Sequence, residues 1–235
     1  TYEKLQGLFR AEGIPTYGEL ILALPGETLE SFCDGLDKCI DGGQHDGLFV
    51  YLNRVLPGTE QADPAYRALH GIETARLPIQ ANHGSLDAAA VGPAEFEETV
   101  VATKTMPHAD WLEAQRIAWF VEVFFVLGIA RLPLLWLRER GVRVTEFARW
   151  ALRCDVLDRA RIEAYLASQD RGEPEVPRGG LEAFGNIRWP IEEASWLALM
   201  SMRRPSAWFA VGVLFATFCR VRGIDATECG RIVDE

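Results

Sequence analysis

Tyr17-Gly-Glu-Leu-Ile-Leu-Ala-Leu-Pro-Gly-Glu-Thr28 is the stretch whose reading decides how the rest of this chain is organised. Glu19 to Leu24 forms a short continuous apolar run closed by Pro25-Gly26, the pattern of a strand covered on both faces. Thr28 follows as a helix cap, with Glu27 and Glu30 near the positive helix end. Leu29, Phe32, Cys33, Leu36 and Ile40 recur at helical spacing as the inward stripe, and Gly42-Gly43 ends the helix. A second apolar run, Leu48 to Leu52, completes a strand–helix–strand unit, which must be parallel with a right-handed crossover.

Upstream, Tyr2 to Glu12 reads as a helix with Leu5, Leu8 and Phe9 on one side and Gly13 at its end. Downstream, from Arg54 to about Pro93, the pattern loosens into loops with one short helix at Gln61 to Leu69. From Ala94 the signal is helical throughout, interrupted by the polar stretch Gln169 to Gly180. His108 or Asp110 caps a long helix running to about Leu127, Pro133 opens or kinks the next, and Thr145 caps another. Pro190 and Pro205 start the last two. The chain therefore divides at 93/94 into an α/β piece, residues 1–93, and an all-helical domain, residues 94–235.

Of 235 residues, 24 are Lys or Arg and 34 are Asp or Glu, a net charge of −10 that argues against a phosphate backbone as partner. Five widely spaced cysteines, Cys33, Cys39, Cys154, Cys219 and Cys229, fit a reducing cytoplasm better than a disulfide framework. Two apolar runs invite a membrane reading. Ile117 to Leu137 carries Glu122 and Arg131, each costing roughly 2.5–3.5 kcal/mol at a bilayer centre. Ala207 to Cys219 is shorter than the ~20 residues a span needs. Both read as buried helices. The tryptophans Trp111, Trp119, Trp136, Trp150, Trp189, Trp196 and Trp208 read as core.

The segment Tyr17–Thr28 resembles the fifth-strand motif of radical S-adenosylmethionine (SAM) enzymes, G-x-I-x-G-x-x-E. A longer variant of that motif reads as an acidic residue, Leu-Ile, a short spacer and Leu-Pro-Gly-Glu-Thr. Here Glu19 stands at the first glycine, Ile21 at the isoleucine, Ala23 at the second glycine, and Glu27 one residue late. The next run enters Leu56-Pro-Gly-Thr59, similar to the turn after the family's sixth strand. Ala62 to Arg67, Gly71-Ile72 with Arg76 to Ile79, and Thr103 to Met106 followed by Asp110-Trp111 resemble, in order, segments of the cobalamin-binding type.

The resemblance implies an α/β plus α fold. Strands five and six of a partial parallel (β/α) barrel are followed by the helical domain, with the other strands and any cobalamin domain lying upstream in the same parent protein. It implies that Glu19, Ile21, Ala23, Leu24, Leu52 and Asn53 lie at the SAM site. An apolar strand end with a small residue at 23 leaves room for adenine, and a β-branched Ile21 offers it a rigid face. Arg54, His70, Asn82 and His83, in the loop after strand six, become candidates for contact with a small-molecule or natural-product substrate. The parent would cleave SAM reductively at a [4Fe–4S] cluster, giving a 5′-deoxyadenosyl radical or, with cobalamin, methyl transfer to an unactivated carbon or phosphorus centre.

The family's Cys-x3-Cys-x2-Cys is missing from this sequence, so the chain alone is expected not to cleave SAM. His70, His83 and His108 with Asp63 or Asp110 lack the close spacing of a metal motif, and no metal ligand or catalytic residue is assigned. Two rival readings are a non-catalytic interaction module and an unrelated nucleotide-using α/β enzyme.

Overall fold

The computed structural model describes residues 2–44, 47–79, 95–154, 190, 192–193, 195–196, 204–225 and 227, with backbone alone for Pro78 and for 204–210. The strand–helix–strand unit forms as its sequence dictates. Strand β1 (Gly18–Leu22) leads through Leu24-Pro25-Gly26-Glu27 into α2 (Leu29–Asp41), and the chain returns as β2 (Leu48–Leu52). The strands are parallel and in register, Gly18 opposite Leu48 and Leu22 opposite Leu52. Thr28 caps α2 reciprocally: its hydroxyl accepts from Ser31 N–H, and the Ser31 hydroxyl accepts from Thr28 N–H. Phe32, Cys33, Leu36 and Ile40 are buried, while Leu29 is only half-buried.

The double coverage expected of β1 is not met among the described residues. Leu22 is buried beneath α2, but Ile21 on the opposite face is 46% exposed, beside Phe49 at 42% and Tyr51 at 48%. Successive strand residues point to opposite faces, so one face of this pair is core and the other is open. Helix α1 (Tyr2–Ala11) is likewise turned outward, its Leu5, Leu8 and Phe9 exposed and only Gln6 buried. The reason lies beneath it. Gln44, fully buried, donates to Thr16 O (2.7 Å) and Gly47 O (2.9 Å) and accepts from the Tyr2 hydroxyl (3.1 Å), while Thr16 donates to Gln6 (2.7 Å). That polar knot fixes which side of α1 faces in, since buried amides must find partners.

The region expected as loop and then helix contains a second sheet instead. Strands β3 (Arg54–Val55), β4 (Glu73–Pro78) and β5 (Phe96–Ala102) form an antiparallel sheet in the order β3-β5-β4. Residues 96–102, read as the start of a helix, are thus a strand crossing from one expected piece of the chain to the other. The carboxylates in Phe96-Glu-Glu-Thr-Val-Val-Ala102 masked the strand pattern, and each meets a cation: Glu97 pairs with Arg54 of the neighbouring strand (2.9 Å), and Glu98 with Arg67 of the helix between β3 and β4. Arg76 lies over the Phe96 ring at 4.3 Å. The short helix between β3 and β4 is a 3₁₀ turn, Glu60–Ala62, followed by α3 (Pro64–His70), capped by Asp63.

The helical part begins with α4 (His108–Phe120), whose cap is Pro107 rather than His108 or Asp110, and continues as a π-helix, Val121–Val126. Helix α5 (Arg131–Arg138) contains Pro133 in its first turn and meets the preceding helix at 105°. Among the described residues no single helix is long and apolar enough to cross a membrane. Helix α6 (Val144–Ala151) is capped by Arg143, not Thr145. Thr145 is instead spent on Asp37 of α2, donating both its N–H (3.2 Å) and its hydroxyl. Helix α7 (Arg204–Arg222) has Pro205 in its first turn, as the sequence indicates. Glu192, Glu193, Ser195 and Trp196 are helical after Pro190, whereas the polar stretch 169–180 lies outside the described residues.

One apolar core runs from Leu22 and Phe32 through Val100 to Phe147 and Phe218. Its centre is aromatic. Phe120 and Phe124 stack at 4.4 Å, Phe147 and Phe215 at 4.4 Å, and Phe218 meets Phe147 edge-on at 4.9 Å. Trp111, Trp119 and Trp136 are buried, Trp150 and Trp196 half-buried, and the side chains of Trp189 and Trp208 lie outside the described set.

Asp37 is the polar rivet of this core. Burial pushes its carboxyl up, against the opposing pull of the Thr145 bonds and of Arg143. Asp37→Ala strands the Thr145 N–H and hydroxyl without their acceptor, and urea unfolding should register a loss of about 1–3 kcal/mol. Arg138→Ala, which removes an exposed ion pair with Asp41, should cost less than about 1 kcal/mol in the same assay.

Candidate functional site

At the C-terminal end of β1 the chain turns on Ala23, which has a φ of 67° and is the non-glycine residue with positive φ among those described. This conformation costs an L-residue roughly 1–2 kcal/mol. Glycine adopts it freely, which gives a physical reason for glycine at the corresponding position of the resembled motif. Two side chains hold Ala23 in place. The Glu27 carboxylate accepts from its N–H (2.8 Å), and the Asn53 amide donates to its carbonyl (3.1 Å). The next turn, Leu24 to Glu27, closes with Glu27 N–H on Leu24 O (3.0 Å) and has Gly26 at φ 92°, the type II geometry that Pro-Gly favours. Leu56-Pro-Gly-Thr59 repeats it after β3, with Thr59 N–H on Leu56 O (3.2 Å) and Gly58 at φ 84°.

The candidate residues fall into three groups. Glu19 and Ile21 lie on the open face of β1, and Leu24, 40% exposed, sits at its tip. Ala23 is fully buried, and its contribution is to bend the backbone. Leu52 is half-buried at the end of β2, and Asn53 is buried, its own carbonyl accepting from Val100 N–H (2.8 Å) on β5. Away from them, Arg54 is paired with Glu97, and His70 ends α3 with its ring 4.4 Å from that of Tyr66. Asn82 and His83 lie outside the described residues.

The open face also carries residues that the sequence did not single out. Tyr51 and Phe49 stand beside Ile21 and Glu19 across the parallel ladder, and Tyr17 meets Phe49 edge-on at 6.4 Å. Partial burial, then the charge of Glu19 and a hydrogen bond to it, raise the Tyr51 phenol. Period-2 spacing from Ile21 and its register partner would have found both Phe49 and Tyr51. Glu27 was placed by the sequence near a helix start and at the motif's glutamate, one residue late, and its carboxylate reaches back over the turn. Burial raises the Glu27 carboxyl, opposed by the N–H bonds it accepts from Ala23 and Leu24.

Burial pushes the Cys33 thiol up to about 11, and Cys39 is raised for the same reason. Cys33, Cys39, Cys154 and Cys219 are all unbridged. Among the described residues no group of three His, Cys, Asp or Glu side chains is placed to hold a metal ion.

The chain that carries this strand pair is similar in sequence to curated proteins. It is 34% identical over 149 residues to the cobalamin-dependent radical SAM methyltransferase TokK of Streptomyces tokunonensis, covering 62% of this chain and 21% of that protein. It is 31% identical over 141 residues to the 2-(S-pantetheinyl)-carbapenam-3-carboxylate methyltransferase of Streptantibioticus cattleyicolor, covering 59% and 20%. Over the matched stretch the chain is thus related to a cobalamin-dependent radical SAM methyltransferase. It spans about a fifth of the length of these curated relatives. No family model matches the chain.

The clamp on Ala23 can be tested by stability. Glu27→Ala leaves the Ala23 N–H without its acceptor and should cost about 1–3 kcal/mol in chemical denaturation. Glu27→Gln keeps an amide oxygen there without a charge to desolvate. Since the folded state raises the Glu27 pKa, its protonated form is favoured and the site loses stability as pH rises through that value. The variant's stability relative to the parent sequence should therefore improve from acid toward neutral pH.

Proposed function

We propose that this chain is the C-terminal portion of a cobalamin-dependent radical SAM methyltransferase, in which β1 and β2 close one side of a (β/α) barrel. The observation that carries this reading is the apolar face of Ile21, Phe49 and Tyr51, left open beside a strand end whose backbone is clamped on both its N–H and its carbonyl. Parallel strands are stable when both faces are covered, and here one face is covered by α2 and the core behind it. Strands supplied by the rest of the parent would cover the other, and the outward stripe of α1 would pack in the same way.

In this reading the residues of this chain bind and orient SAM. Ile21 and Leu24 form an apolar seat for adenine, Ala23 sets the bend that brings them to the strand end, and Glu27 and Asn53 fix that bend. The reductive cleavage of SAM belongs to a cluster held by cysteines elsewhere in the parent, because this sequence contains no Cys-x3-Cys-x2-Cys. The chain by itself is accordingly inactive. The methyl acceptor is a small molecule, and the parent works in the cytoplasm.

The test begins upstream. A Cys-x3-Cys-x2-Cys about 90–130 residues before Thr1, a spacing set by the three intervening barrel strands, is expected. The full-length protein, purified without oxygen and given a reductant, should convert SAM to S-adenosylhomocysteine with a methylated product, whereas the 235-residue chain should not. Ile21→Asp in the full-length protein puts a charge beneath adenine, and the KM for SAM should rise about tenfold or more, equivalent to 1.4 kcal/mol. An upstream frame without the cysteines, or unchanged SAM binding in Ile21→Asp, would overturn the reading.

A further inference from the structure

Glu30, Asp34, Asp37 and Asp41 of α2 recur at helical spacing, which puts all four carboxylates on one face of the helix. Like charges stacked in this way repel each other unless cations lie against them. Arginines of the helical part do so, in reverse chain order. Arg149 of α6 pairs with Glu30 (2.7 Å), Arg143 pairs with Asp34 and lies 3.8 Å from Asp37, and Arg138 of α5 pairs with Asp41. The segment from α5 to α6 thus runs antiparallel to α2 along a seam of ion pairs, with the Thr145 bonds to Asp37 in its middle.

The apolar face of α2 enters the core through Phe32, Cys33, Leu36 and Ile40. Such contacts are non-directional, and they hold a helix to its neighbours more firmly than they fix its position along its own axis. Charges paired residue by residue fix that register.

The pair nearest the start of α2 differs from the others. The Arg149 side chain, 24% exposed, also lies 3.5 Å from Glu113 of α4, so one cation joins three helices. Glu30 belongs to the first turn of α2, whose cap, Thr28, directly follows Glu27. The Glu27 carboxylate in turn accepts from the Ala23 N–H (2.8 Å). A continuous set of contacts therefore leads from Arg149 through Glu30, the capped turn Thr28–Ser31 and Glu27 to the bend at Ala23. Coupling between separated positions is carried by contacts of this kind. Asp41, at the far end of α2, is about 16 Å from Glu30 along the helix axis.

We propose that Arg149 is a positioning residue for the SAM turn: by holding Glu30 against α4 and α6 it sets where α2 begins, and so where Glu27 meets Ala23. The inference rests on the reading of that turn as the SAM site, and it gives the helical part a role in SAM binding without contact with the ligand.

Two variants remove the pair from opposite sides. Arg149→Met keeps an apolar stem without the charge, and Glu30→Gln changes a side chain that is 65% exposed, so the fold does not depend on it. Amide exchange of the full chain reads the bend without SAM. Protection of the Ala23 N–H should fall about threefold to fivefold in either variant, the range that an exposed ion pair supports, and no further in the double variant. Arg149→Lys keeps the charge without the planar fork and should restore part of the protection. Arg138→Ala, at the far end of the seam, should leave Ala23 as it was. In the full-length protein the KM for SAM should rise by the same factor with kcat unchanged, since the loss is of binding common to the ground and transition states.

Unchanged Ala23 protection in both single variants, additive losses in the double variant, or an equal loss in Arg138→Ala would overturn the proposal. So would a KM for SAM that rises in Ile21→Asp but not in Glu30→Gln. Failure of the SAM reading itself shows separately, as an unchanged KM in Ile21→Asp.

Discussion

Asn53 is the junction at which the two sheets of this protein are tied. Its side-chain amide donates to Ala23 O at the end of β1, and its carbonyl accepts from Val100 N–H on β5. The residue is buried, so these bonds form away from water, where a missing partner would cost more than the bond itself contributes. Through Asn53 the bend at Ala23, the end of β2 and the antiparallel sheet share one position. The left-handed backbone at Ala23 is held from a second side by Glu27. Such strain persists only where the surroundings over-determine it.

The parallel pair has two unlike faces, and the difference follows from what each meets. Toward α2, Leu22, Leu36 and Leu48 join a core that continues into Phe120, Phe147 and Phe218. Toward the other side, Ile21, Phe49 and Tyr51 meet no equivalent layer among the described residues, and Leu5, Leu8 and Phe9 of α1 are likewise exposed. Here the polar groups overrule the apolar ones. The Gln44, Thr16 and Gln6 bonds must be satisfied underneath α1, and that requirement rotates its apolar stripe outward.

The helical part is shaped by where its polar groups find partners as well as by its aromatic core. Thr145 bonds Asp37 of α2 rather than capping α6, which fastens that helix to the strand–helix–strand unit. The π-turn aims Glu122 at the edge of β2, so the helical part braces that strand. An acceptor on the Val50 N–H also closes a position at which an exposed strand edge would pair with another chain.

The sequence by itself determined the elements whose cues are local. Thr28 caps α2, the two Leu-Pro-Gly turns have glycine at their positive-φ position, and the apolar runs 18–22 and 48–52 are strands in parallel register. These depend on a few consecutive residues and on backbone sterics that act wherever the chain goes. The resemblance of Tyr17–Thr28 to a radical SAM strand motif was legible for the same reason. The tertiary structure decided the rest. Strand β5 was hidden because Glu97 and Glu98 look like helix surface until Arg54 and Arg67 arrive from elsewhere in the chain. The grip of Glu27 and Asn53 on Ala23, the outward turn of α1 and the meeting of Glu122 with Val50 all depend on partners brought together by folding. No local pattern encodes a hydrogen bond that exists only after distant segments have packed.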